Sequence, residues 1–137
     1  MSKYTKEYEE ILSRALSKLS IYPANKNPVY HGTTLRDYQV KDIYRKLKNN
    51  ESFQFGFFTS VGLRIEDGEK YMTKHRGKIQ ENERMVLFVI DQKTATNLTN
   101  LRWRTDTHEA IIGHQAKYKV LAISLKKGYF EVKLEEL

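Results

Sequence analysis

Glu109 stands immediately before the apolar run Ala110, Ile111, Ile112, at the edge of what must be core. A carboxylate in such a place either escapes to solvent through the pleat of a strand or is retained for chemistry. His31 follows the short apolar segment Val29, Tyr30 and precedes Gly32, Thr33 and Thr34. There a side chain and the backbone can both meet a ligand, or a threonine can simply cap a following helix. Thr59 and Ser60 close the aromatic stretch FQFGFF, again as ligand-facing hydroxyls or as an ordinary polar turn. Other chemistries are excluded. The chain has no cysteine, so disulfides, zinc–thiolate sites, iron–sulfur clusters and a thiol nucleophile are absent. It has no GxGxxG, no Walker A loop and no HExxH. His31, His75, His108 and His114 lack the spacing of metal ligands on one helix.

These residues must be positioned by 137 residues, a length that suits one domain. A hydrophobic content of 39% and an aromatic content of 12% can supply its core. Lys and Arg exceed Asp and Glu by 24 to 17, and the net charge of +7 suggests an anionic ligand or partner. The longest apolar runs, such as MVLFVI at 85–90, fall well short of the roughly 20 residues that cross a bilayer. The charged N-terminal segment does not read as a signal peptide, so the expectation is a soluble, cytoplasmic domain without a membrane partner.

The spacing of Tyr4, Tyr8, Ile11, Leu12, Ala15, Leu16 and Leu19 predicts an N-terminal helix within residues 1–20, packed on the domain. YPANKNP at 22–28 separates it from a core at 28–135. VYHG at 29–32 reads as a strand, and Thr33 or Thr34 as the cap of a helix whose buried stripe is Val40, Ile43, Tyr44 and Leu47. FQFGFFTS at 53–60 reads as one strand, and residues 65–75 as a helix weakened by Gly68. RMVLFVID at 84–91, HEAIIG at 108–113, KYKVLAISL at 117–125 and YFEVKLEE at 129–136 read as strands, the last two as a hairpin. The order helix, strand, helix, strand, helix and then four strands predicts an α+β domain with a mixed or antiparallel sheet. Trp103, between Arg102 and Arg104, either stacks on a ligand or acceptor or is a partly buried aromatic.

Taken together, VYHGTT at 29–34, GFFTS at 56–60 and HEAIIG at 108–113 resemble, in that order, the three signature strands of the ADP-ribosyltransferase superfamily. The likeness is nearest to the branch with His in the first motif, which holds diphtheria-toxin-like toxins and poly(ADP-ribose) polymerases. Some features resemble the arginine-modifying branch. The resemblance implies a single domain with a split sheet and peripheral helices, using NAD as co-substrate and no metal. It implies Glu109 and His31 as catalytic residues. It places Tyr30, His31, Gly32, Thr33, Phe58, Thr59, Ser60 and Tyr71 around NAD, with Phe58 and Tyr71 sandwiching the nicotinamide and backbone groups of Gly32 holding its amide. Two positions depart from the pattern: Phe58 stands where many toxins have Tyr, and Thr107 stands where the arginine-modifying branch has a second Glu or Gln. The second departure counts against arginine as the acceptor.

The implied activity is mono-ADP-ribosyl transfer from NAD to a macromolecular acceptor, a protein before a nucleic acid, by a monomeric bacterial or phage effector. Such an enzyme would act where it is made or be delivered by another machine. The rivals are a relative acting on nucleic acid or its phosphate ends, and a non-catalytic module binding NAD, ADP-ribose or nucleic acid.

Overall fold

The computed structural model describes residues 6–19, 22–73, 79–98 and 108–137. The element order is α1 (Lys6–Lys18), β1 (Val29–Arg36), α2 (Asp37–Asn49), β2 (Ser52–Phe53), β3 (Thr59–Gly62), α3 (Ile65–Thr73), β4 (Glu83–Asp91), β5 (Thr96–Asn97), β6 (Glu109–Ile112), β7 (Tyr118–Leu125) and β8 (Phe130–Glu136). The eight strands form one sheet in the order β2-β7-β8-β4-β1-β3-β6-β5. β4 and β8 are parallel, whereas β1 with β4, β3 with β6 and β7 with β8 are antiparallel, so the sheet is mixed.

β1 joins the two halves of this sheet unequally. Toward β4 it is in register over its whole length, from Val29 opposite Ile90 to Arg36 opposite Glu83. Toward β3 a single pair, Tyr30 opposite Gly62, holds the register. The sheet is therefore split at the β1–β3 seam, and past Tyr30 the β3-facing edge of β1 has no ladder partner in β3.

One face carries the main core. Val29, Val86, Phe88, Ile90, Val132 and Leu134 are buried there with Ile43 of α2. Burying a side chain the size of Phe88 contributes roughly 1.5–3 kcal/mol. The other face is covered by α3, where Met72 packs with Met85, Leu87 and Tyr30. Gly68 fits there because β1 and α3 touch through their backbones. A Cβ built on Gly32 would lie 1.9 Å from the Gly68 carbonyl oxygen, and one on Gly68 would lie 2.6 Å from the Cβ of Tyr30. The glycine that weakens α3 as an isolated helix is what lets it dock.

Three expectations are corrected. Thr33 and Thr34 do not cap α2, because β4 pairs with β1 through Arg36 and keeps both threonines in the strand. The helix starts at Asp37, and Gln39 accepts the Arg36 N–H at 2.8 Å. FQFGFFTS is not one strand. Gly56 sits at φ +80°, a left-handed conformation that interrupts the extended run between β2 and β3. Among the described residues five strands follow α3, not four, because the two-residue β5 is too short to carry a periodic signal.

Candidate active site

Glu109 opens β6 directly opposite Gly62 of β3, which in turn lies opposite Tyr30 of β1. Paired residues of neighbouring strands share a face, so Glu109 stands on the α3 side of the sheet. There the hydroxyl of Tyr71, in the last turns of α3, donates to Glu109 Oε1 at 2.7 Å. Ser60 lies two residues before Gly62 and opposite Ile111, which puts its exposed side chain on the same face as a diagonal neighbour of Glu109.

His31 faces the other way. It pairs with Phe88 on the core side, its ring centroid is 5.4 Å from that of Phe55, and its Nδ1–H donates to the Ser60 carbonyl at 2.8 Å. Burial pushes its pKa below the usual 6.5, and the Ser60 carbonyl opposes this more weakly. The ring is therefore neutral near pH 7, and with Nδ1 donating, Nε2 is left as an acceptor. This hydrogen bond crosses the β1–β3 seam where ladder pairing stops. It ties the strand that carries Ser60, and through it Glu109, to the strand that carries His31.

His31 also lines a cavity of about 410 Å³ between β1, α2 and the β2–β3 segment, together with Thr33, Gln39, Phe53, Phe55 and Phe57. Aromatic walls with a few convergent polar groups suit a planar base and a sugar. The Glu109 carboxylate lies on the far side of the seam.

The sequence-derived residues sort accordingly. The structure brings together Glu109, Tyr71 and the Ser60 face, and separately His31 and Thr33. Tyr30 supports α3 from below. The room beside Gly32 is filled by α3, so it is α3 that requires a glycine there. Thr59 is not brought to the carboxylate: it is buried opposite Ile112, and its hydroxyl donates to the Phe57 carbonyl at 3.3 Å. Phe58 packs on His114 with ring centroids 4.9 Å apart, and with Ile111 and Leu16 it lines a second hollow beneath α1. Phe57 and Gln39 were missed. The alternation of Phe53, Phe55 and Phe57 pointed to the first, and nothing in the sequence singled out the second. Trp103 and Thr107 lie outside the described residues. Among the described residues no group of three His, Asp or Glu side chains could hold a metal, and no helix is long and apolar enough to cross a membrane.

The overall fold agrees with comparisons to known proteins. The family described as NAD:arginine ADP-ribosyltransferase matches residues 2–137, and the chain belongs to that family. No curated protein matches it. Among solved structures, the Vis toxin, an ADP-ribosyltransferase from Vibrio splendidus, is similar at a TM-score of 0.70 and 18% identity, over 96% of this chain and 56% of that one. The ADP-ribosyltransferase HopU1 of Pseudomonas syringae gives 0.75 and 13%, over 96% and 54%. Exoenzyme S from Pseudomonas aeruginosa, solved with human 14-3-3 protein beta and Carba-NAD, gives 0.65 and 12%, over 99% and 60%. At these identities the likeness is one of fold, and the chain spans little more than half the length of these structures.

Proposed function

We propose that the domain transfers ADP-ribose from NAD to a protein acceptor. The observation that carries this reading is the seam itself: the His31–Ser60 hydrogen bond closes it, with a nucleoside-sized cavity on one side and the Tyr71–Glu109 pair on the other. Membership of the family supports NAD as the donor.

The adenosine side of NAD occupies the aromatic cavity, where His31 Nε2 accepts from a ribose hydroxyl and Thr33 and Gln39 offer polar contacts. The nicotinamide end reaches past the unpaired edge of β1 toward Glu109. There the peptide groups of Gly32 meet the amide, and Tyr71 flanks the ring. The bond between nicotinamide and ribose C1′ breaks, and nicotinamide leaves with the bonding electrons. The acceptor's nucleophile then bonds to C1′ and gives up its proton. Positive charge builds on the ribose between these events, and the Glu109 carboxylate favours that transition state over the uncharged ribose of the ground state. Ser60 contacts the same ribose.

NAD carries about two negative charges near pH 7, so most of the +7 is left for solvent or for an acidic acceptor surface. Such a domain works inside the cell that holds the acceptor, in the manner of an effector. The test is incubation with labelled NAD and lysate, followed by separate protease and nuclease treatment. Label lost to protease supports a protein acceptor, and label lost to nuclease transfers the reading to nucleic acid. A protein that releases no nicotinamide and labels nothing sinks the proposal.

A further inference from the structure

We propose that Tyr71 is a positioning residue whose hydroxyl, independently of its ring, aims the Glu109 carboxylate at the substrate; this rests on the transferase reading above. The separation of 2.7 Å is that of a short O–H donor on a carboxylate oxygen. The two residues are 38 apart in sequence, and both are seated by structure that leaves little slack. Glu109 is fixed by the row Tyr30, Gly62, Glu109 across three strands. Tyr71 immediately precedes Met72, which is 2% exposed, on a helix whose Gly68 lies against Tyr30.

Gly62 completes the arrangement. A Cβ there would fall 2.4 Å from the Cβ of Asp67, so only glycine lets the start of α3 settle onto β3 between Tyr30 and Glu109. Asp67 holds that start by accepting the Arg64 N–H at 3.2 Å. Tyr71 is 44% exposed, and its hydroxyl donates to Glu109. Holding one carboxylate oxygen fixes the plane of the group and the direction from which it meets the ribose. That is worth most in the transition state, when charge develops.

Ring and hydroxyl make separable contributions. The experiment compares wild type, Tyr71→Phe, Glu109→Gln and the double variant in nicotinamide release from NAD, with NAD binding by calorimetry and thermal unfolding of each. Tyr71→Phe keeps the ring; the expected result is an unchanged KM and NAD affinity, unchanged unfolding, and a kcat lowered about 10- to 100-fold. Because the hydroxyl acts through the carboxylate, the double variant should be no slower than Glu109→Gln alone. A Tyr71→Phe protein with the wild-type kcat, one that loses only in KM, or one whose loss multiplies with that of Glu109→Gln overturns the positioning role and leaves the transferase reading intact. A wild-type protein that releases no nicotinamide overturns both.

Discussion

The hydroxyl of Tyr71 and Oε1 of Glu109 are joined at 2.7 Å across the α3 face of the sheet. The two groups do not share a contiguous motif. Their meeting depends on a helix docked by a glycine and on a strand reached through a single inter-strand pair.

Replacing Glu109 with Gln removes the charge and keeps the shape. Nicotinamide release should fall by roughly 10²–10³, the cost of deleting one transition-state electrostatic contact. The thermal unfolding midpoint should stay within a few degrees of wild type. Steady-state rates with calorimetric unfolding decide this, and full activity in the variant would remove Glu109 from the reaction.

His31 gives a pH signature. Its folded pKa lies below the 6.5 of the unfolded chain because burial disfavours the imidazolium. The unfolded state therefore binds more protons below that pH, so this part of the stability is complete above about 6.5 and drains away as pH falls toward the folded pKa. The slope approaches about 1.4 kcal/mol per pH unit. Urea midpoints between pH 8 and 5 should show the decline in wild type and a smaller one in His31→Gln; parallel curves would count against it.

Phe57 and Phe58 are adjacent but face different surroundings, one the His31 cavity and the other His114 and α1. Phe57→Ala removes an aromatic wall of the nucleoside cavity, worth about 0.5–1.5 kcal/mol, so NAD should bind two- to tenfold more weakly with little change in unfolding. Calorimetric titration checks this, and an unaltered affinity would place the adenosine elsewhere.

Gly32→Ala drives a methyl group into the Gly68 carbonyl of α3. The expected loss is about 1–3 kcal/mol by chemical denaturation. An alanine at Gly113, where a Cβ meets nothing within 4 Å, is the matched control and should cost much less.

Much of this was legible in the sequence, for physical reasons that differ by element. β4 announced itself as a bounded apolar run because most of it is buried, and the β7–β8 hairpin through the turn at Gly128, whose φ is +89°. Glu109 stood out as a carboxylate set against core. The start of α2 was misplaced because threonine serves a strand as well as a helix cap, and only pairing with β4 decides between them. Phe53, Phe55 and Phe57 keep one alternation and line the same cavity, but spacing alone does not say which side of that alternation has room for a ligand. The Tyr71–Glu109 bond was invisible for a simpler reason: spacing along a chain carries no information about a contact made by docking a helix on a sheet.

The contact between Gly32 and Gly68 has a reach beyond its own packing. It sets the depth at which α3 rests on β1, and Tyr71 leaves that helix three residues after Gly68. The pair works as a gauge: a methyl group at either position lifts the helix and carries the phenol away from the carboxylate. Substitutions at this contact, remote from the carboxylate, are therefore expected to appear in reaction rate as well as in stability.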